Sequence, residues 1–372
     1  MTDPARSTSF GLDWLAPGGE EADVVLSTRV RLARNLQGHA YTRRLPLEER
    51  RAIFEQVVDV AERQTGLTGG HRVHIADLAP VSRRVLHERH LISRELAGEP
   101  DGRDPAPGSG LLLARDERLG VMVNEEDHLR LQSLLSGFRL AEAWALVDRL
   151  DDELGSHLPF AYHPEFGYLT TCPTNAGTGL RASVLIHLPG LVLTKEIGKV
   201  LQGINQVGLT FRGLYGEGSE VVGNFFQISN QTTLGKSEDD LIDHLSKIVR
   251  QVIEYERRAR NVLLRDARHI IEDKIWRAYG LLRYARSLSF DETMNLLSGV
   301  RLGVSLKLIP GLRVYSLNRM MILSQVAHLN QAAGRQLSEQ DADLHRATYV
   351  RRALAEEGAA PDQPSASEGS AP

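Results

Sequence analysis

The chain is predicted to fold as an α+β domain followed by an all-helical one, and three observations say so. Up to Asn230, short strand-like stretches are interleaved with amphipathic helical ones. From Ser237 onward only the helical period remains, which separates a mixed domain from a helical one. The 372 residues suffice for two domains, each with its own core.

Residues 1–23 read as a polar N-terminal extension. Val24 to Arg34 reads as a strand, because Val24, Leu26, Val30 and Leu32 alternate with Val25, Ser27, Arg29 and Arg31. A helix follows Pro46, with Ile53, Val57, Val60 and Ala61 on one face. Gly98 to Gly110 is rich in Pro, Gly and Asp and reads as a surface loop. Leu111–Leu113 and Val121–Val123 flank a turn at Asp116 to Gly120, which predicts a hairpin. A long amphipathic helix is expected over about His128 to Leu154, with Leu131, Leu134, Leu135, Phe138, Ala141 and Ala145 as its stripe. Strands are expected at Tyr168–Cys172, Ala182–His187 and Phe225–Ser229.

Ser237 and Asp240 then have capping-box spacing, and the helical period runs through Leu241, Leu245, Val249 and Val252 to the region of Trp276. Ser289 with Glu292 and Ser338 with Asp341 repeat that spacing and start further helices. The boundary between a catalytic domain (24–254) and a helical domain (255–357) is placed near Tyr255. The tail from Gly358 is rich in Ala, Pro, Ser and Gly and is expected to be disordered.

Composition removes several function classes. The net charge of -4 and the 25% charged content give no global basicity, so neither direct nucleic-acid binding nor a membrane surface is expected. One cysteine forbids a disulfide within the chain. No stretch has the length and apolarity of a membrane span, and the start lacks a signal-type apolar run, so a cytoplasmic protein is expected.

The chemistry-bearing residues are mostly arginines and glutamates. Leu234-Gly235-Lys236-Ser237 ends like a phosphate-binding loop, but the leading glycine is missing and a helix cap explains it better. Arg29 and Arg31, two apart on a strand, share one face. Arg130, Arg181 and Arg212 lie in three unusual strings: Asn124-Glu125-Glu126-Asp127-His128-Leu129-Arg130, Cys172-Pro173-Thr174-Asn175-Ala176-Gly177-Thr178-Gly179-Leu180-Arg181, and Arg212-Gly213-Leu214-Tyr215-Gly216-Glu217-Gly218-Ser219-Glu220. Guanidinium forks match phosphate oxygens. Read singly, each arginine is equally compatible with a surface ion pair, Glu125-Glu126-Asp127 with a helix N-terminus, and Cys172 with an inert buried thiol. No Cys/His set has metal-ligand spacing.

Together the three strings resemble the ATP:guanidino phosphotransferases, the phosphagen kinases, and the third string resembles the bacterial protein-arginine kinases among them. The resemblance covers about Val24 to Leu354. It implies an antiparallel-sheet catalytic domain flanked by helices. It implies ATP as phosphoryl donor, with Mg2+ arriving on the nucleotide. It implies nucleotide contacts along Ser27, Thr28, Arg29, Val30 and Arg31, at His90 and Arg130, along Arg181, Ala182, Ser183, Val184 and Leu185, and along Arg212, Gly213, Leu214, Tyr215, Gly216 and Glu217. Glu126 would be the catalytic base, Glu217 or alternatively Glu220 the second carboxylate on the guanidinium, and Cys172 a thiol beside it.

Only 23 residues precede Val24, where small-guanidine kinases carry a helical domain, and an open site would suit arginine side chains on proteins. In the helical region the resemblance implies a phosphoarginine pocket of the form Arg-Asp-x-x-Arg-Ala. Here Ala342 stands in place of the first arginine, leaving Asp343 and Arg346, or else a solvated helical pair. Weak phosphoarginine binding is therefore expected, with Ala342→Arg strengthening it. The resemblance further implies proteins marked for a Clp-type protease in a stress response, a zinc-binding activator protein and a homodimer. A kinase of free arginine or another small guanidine, and a non-catalytic phosphoarginine-binding regulator, remain as alternatives.

Overall fold

The computed structural model describes residues 12–98, 105–213 and 222–359. Its centre is an eight-stranded antiparallel sheet: β1 (Val25–Arg34), β2 (His71–His74), β3 (Gly110–Leu113), β4 (Leu119–Val123), β5 (Leu129–Ser136), β8 (Leu180–His187), β9 (Leu209–Arg212) and β10 (Phe225–Asn230). The spatial order is β2-β3-β4-β5-β1-β8-β10-β9. β6 (Tyr162–His163) and β7 (Gly167–Tyr168) make a separate two-stranded ribbon.

One face of the sheet is packed by α1 (Leu47–Gln64), α4 (Leu140–Gly155) and α7 (Glu238–Asp266). Val30, Leu131, Ala182, Val184 and Ile228 point into that core, against Val57, Val147 and Leu245. Such residues come at every second position, as a strand with one buried face requires. The short helices α2 (Pro80–Glu88), α3 (Arg94–Ala97), α5 (Pro189–Leu193) and α6 (Ile197–Gln206) lie at the sheet's margins. The helical region continues with α8 (Arg268–Tyr284), α9 (Phe290–Ser305), α10 (Val314–Leu323), α11 (Val326–Ala333) and α12 (Glu339–Ala359). Its core is continuous with the other sheet face, since Leu26, Met122, Leu134 and Leu185 share a cluster with Leu297, Val300 and Leu317.

The α+β class, the antiparallel sheet and the helical second region are as expected. Three local readings held. The 111–123 hairpin is β3 and β4, Ser237 and Asp240 form a complete capping box, and Ser289 accepts from the Glu292 amide. The expected boundary at Tyr255 falls inside α7, which continues to Asp266. The tail beyond Ala359, the first 11 residues and part of the Gly98–Gly110 loop lie outside the described residues.

Two expectations were wrong. The helix over His128–Leu154 is in fact β5, a turn and α4. Leu129 and Leu131 alternate with Arg130 and Gln132, which is a strand's period. The pattern blurs at Leu134-Leu135 because both faces are covered there, and each leucine enters a different core. Gly137 marks the break: φ is +70°, and a Cβ would lie 2.6 Å from the Gly19 Cα. The strand at Tyr168–Cys172 stops at Tyr168. Beyond it the chain is held by side-chain hydrogen bonds instead of a neighbouring strand. The Thr171 amide donates to Asp127 (2.6 Å), and Thr170 Oγ1 donates to the Cys172 carbonyl (2.7 Å).

Candidate active site

The sheet register gathers the arginines. Arg31 lies opposite Arg181 on β8 and Gln132 on β5, and Arg130 is two residues from Gln132. Arg29 lies opposite Ser183. Gln227 pairs with Leu185 on one side and Arg212 on the other. Even spacing along each strand keeps all five arginines on one face. That face floors a cleft of about 510 Å³ whose walls bring in His87, His90, Ser93, Arg94, Glu95, Glu126, Cys172, Thr174 and Asn175.

Among the described residues, six arginines line the cleft against two lining carboxylates, Glu95 and Glu126. Burial first, then Arg130, pushes Arg29 down to about 10. Arg31 is pushed down by burial and then by Arg29 and Arg130, and its buried Nε has no hydrogen-bond partner. Guanidinium remains charged at neutral pH. Burial and neighbouring like charge both disfavour these cations, and a bound anion would relieve both. Arg130 has a close carboxylate, Glu125 at 2.5 Å. Burial by itself would raise Glu125, but Arg130, the Glu126 amide and Ser93 hold it below its ordinary value.

Glu126 differs from its neighbour. Burial, then the Glu125 charge, raises its pKa, with Arg130 opposing. The turn that presents it is fixed from several sides. Asn124 has φ +56° and donates through Nδ2 to the Arg50 and Gly108 carbonyls at 2.8 and 2.7 Å. Asn35 Nδ2 donates to Asp127 at 2.7 Å, and Thr171 Oγ1 donates to the Glu126 carbonyl at 2.9 Å. The segment is thus a strand-entry turn and not a helix N-terminus.

Cys172 is half-buried at the cleft edge, with Sγ 3.0 Å from Thr174 Oγ1. A short 3-10 turn, Pro173–Asn175, leads from it toward Arg181, whose Nε donates to Asn175 Oδ1 at 3.2 Å. Gly177 lets this segment pass: its φ is +102°, and a Cβ would lie 2.3 Å from the Thr233 carbonyl oxygen. His90 has φ +61°, and burial, then Arg29 and His87, push its pKa down to about 3, so it is neutral.

The other expected positions divide into three groups. Ser27, Ser183 and Leu185 line a small recess next to Arg29 and His90. Thr28, Val30, Ala182 and Val184 are fully buried, and the last three point into the helix-side core, so only their backbone could meet a ligand. Gly213 is the last described residue before 214–221. Leu214, Tyr215, Gly216, Glu217 and Glu220 therefore lie outside the described residues.

Asp343 and Arg346 are not part of the cleft. Arg346 is 1% exposed and donates to the Ser324 and Leu288 carbonyls and to Asp343 (2.9, 2.8 and 2.6 Å). Ala342 is buried with Leu329 and Leu337. This corrects two expectations. Arg346 and Asp343 are not a solvated pair, and Ala342→Arg would drive a charge into an apolar cluster before it could add a phosphate contact.

Sequence reasoning missed His87, Ser93, Arg94, Glu95, Asn175, Gln227 and Ser229. A signal existed for Gln227 and Ser229, polar and two apart in the otherwise apolar run Phe225–Ser229, as Arg29 and Arg31 are on β1. None existed for residues 87–95, which reach the cleft only through tertiary packing.

A half-buried face of arginines beside a carboxylate of raised pKa, on an antiparallel sheet, has the charge and the acid–base group that phosphoryl transfer calls for. The family model of the ATP:guanido phosphotransferase C-terminal catalytic domain matches residues 52–259, and that of the protein-arginine kinase McsB C-terminal domain matches residues 268–366. A protein-arginine kinase of Pelotomaculum thermopropionicum is 44% identical over 345 residues, covering 92% of this chain and 95% of the relative. One of Bacillus subtilis is 44% identical over 343 residues, covering 92% and 93%. The lombricine kinase structure shares the fold, with TM-score 0.56 and 23% identity over 67% of this chain and 70% of that one. A duplicated taurocyamine kinase from Schistosoma mansoni has TM-score 0.55 and 28% identity over 67% and 36%. The chain belongs to the protein-arginine kinase family of ATP:guanidino phosphotransferases, and it is an enzyme of that class.

Proposed function

We propose that this enzyme transfers the γ-phosphoryl group of ATP to arginine side chains on proteins, forming N-phosphoarginine. The observation that carries the reading is the placement of Glu126, its pKa raised, at the rim of the five-arginine face. The unpartnered Arg31 Nε and the surplus of cations fit a polyphosphate. Arg29, Arg31, Arg130, Arg181 and Arg212 would hold the phosphates through both ground and transition states. Magnesium would enter with the nucleotide, bound by phosphate and water, and would neutralise charge on the transferred group. Among the described residues no group of three or more His, Cys, Asp or Glu side chains is arranged to hold a metal ion.

The acceptor is a difficult nucleophile. Its guanidinium is cationic, with pKa above ~12, and its lone pair is delocalised. Glu126 would hold one edge of the guanidinium, turn a nitrogen toward the phosphorus and take its proton as the N–P bond forms. Cys172 stands at the same rim, and Glu217 or Glu220 is the proposed second carboxylate. Family membership supports a cytoplasmic role in protein quality control under stress. Its proposed partners are unfolded proteins with accessible arginines, a zinc-binding activator, a Clp-type protease and a second copy of the chain. Among the described residues no helix is long and apolar enough to cross a membrane.

The test is the bond formed. Label transferred from γ-labelled ATP to an unfolded protein should be lost in mild acid, as an N–P bond is, and should map to arginine. Acid-stable label on serine or threonine as the main product would falsify the reading, and label on free arginine in preference to protein would favour the small-guanidine alternative.

A further inference from the structure

The wall of the cleft formed by residues 87–95 has two sides. His87 and His90 face the cleft. Glu88 and Arg89, between them, face the helical region. The Glu88 carboxylate caps the start of α11, accepting from the Ala327 and His328 amides at 2.9 and 3.2 Å. It also lies 2.7 Å from His328 Nδ1. Arg89 Nε donates to His328 Nε2 at 3.1 Å, and Arg89 Nη1 lies 3.9 Å from the buried Glu117 carboxylate. An acceptor at Nε2 leaves the His328 proton on Nδ1, directed at Glu88. His328 thus reads both residues at once.

The next residue, His90, has the left-handed backbone (φ +61°), which is disfavoured for any residue with a Cβ and persists only where its surroundings hold it. On the cleft side Gln132 Nε2 donates to the His90 carbonyl at 2.9 Å. The helix end closes around it through the His90 amide to the His87 carbonyl (2.8 Å) and the Leu91 amide to the Leu86 carbonyl (2.9 Å), and on the far side Glu88 and Arg89 anchor that end to α11.

We infer that His328, on the helical region, is a positioning residue for the nucleotide site: through Glu88 and Arg89 it fixes the backbone that places His87 and His90 in the cleft. The inference rests on the reading of that cleft as the ATP site. It assigns α11 a part in nucleotide affinity although no residue of α11 lines the cleft.

The experiment uses the full chain with an unfolded protein substrate. His328→Ala should raise the KM for ATP at least ~5-fold, with kcat and the KM for protein within about 2-fold of wild type. His328→Gln supplies an amide donor for Glu88 and a carbonyl acceptor for Arg89, and should restore the ATP KM. If His328→Ala does not fold, Arg89→Lys decides, because it keeps the charge near Glu117 but loses the Nε donor; the same rise is expected. A lowered melting temperature with an unchanged ATP KM would reduce the contact to domain packing and overturn the inference, as would failure of the Gln variant to restore. Arg181→Ala is the control. If it raises the ATP KM while His328→Ala does not, only the positioning role falls. If it too leaves the ATP KM unchanged, the nucleotide reading of the cleft falls, and this inference with it.

Discussion

Two sets of arginines stand in this molecule, one fully buried and one half-buried on the cleft floor, and they are satisfied in opposite ways. At the junction of sheet and helical region, Arg301 donates from Nε to Asn318 Oδ1, from Nη1 to the Asp23 carbonyl and His187 Nδ1, and from Nη2 to the Ala22 carbonyl, all at 2.8–3.0 Å. Arg346 is bound to two carbonyls and Asp343. In the cleft, Arg29 and Arg31 face other arginines, and Arg31 keeps an unpartnered buried Nε. A cationic neighbour does not separate the sets, for burial and then Arg260 push Arg301 down to about 9. What separates them is where the donors go. Donors spent on the chain's own carbonyls hold the fold, and donors held back leave a face that needs an anion.

The sharpest test of that contrast is removal of one member from each set. Arg301→Met should strip a partner from four acceptors, two of them on the buried His187 and Asn318, and cost about 3–5 kcal/mol of unfolding free energy, measured by denaturant titration. The folded fraction of this variant should keep its ATP affinity. Arg31→Met should do the reverse: no loss of stability, since it removes repulsion, but an ATP affinity lower by roughly tenfold or more, as for loss of a charge-assisted contact. Equal stability losses in the two variants would erase the distinction.

Between those effects lies the base. Glu126→Gln keeps the shape and removes the proton acceptor, so turnover should fall at least ~10²-fold while ATP affinity stays near wild type. Single-turnover kinetics with equilibrium nucleotide binding separates the two quantities. Normal turnover would reassign the base.

The same contrast explains what could be read from sequence. Local rules sufficed where partners are near in the chain: Ser237 with Asp240, the 111–123 hairpin, the shared face of Arg29 and Arg31. The gathering of Arg130, Arg181 and Arg212 onto that face was legible only through the family resemblance, because register between β5, β1 and β8 is set by tertiary pairing. Arg346 was misread because its acceptors, Leu288 and Ser324, are remote in sequence and their carbonyls leave no trace in residue type. β5 was misread as helix because a strand covered on both faces loses its alternation.

The smallest effect separates the two carboxylates that sit side by side. Glu125 belongs with the spent groups, committed to Arg130, and Glu126 with the reserved ones. Burial raises Glu126 above its ordinary value, and the Glu125 charge raises it further while Arg130 opposes. Activity that needs ionised Glu126 should therefore fall as pH drops through a value higher than an exposed glutamate would show. Glu125→Gln removes the like charge and frees Arg130 to act on Glu126, and both changes favour the ionised base. The acid limb of kcat/KM should move to lower pH, even if the less firmly held Arg130 lowers the plateau. An acid limb that stays in place in Glu125→Gln but disappears in Glu126→Gln would leave Glu126 as the base and deny Glu125 any part in tuning it.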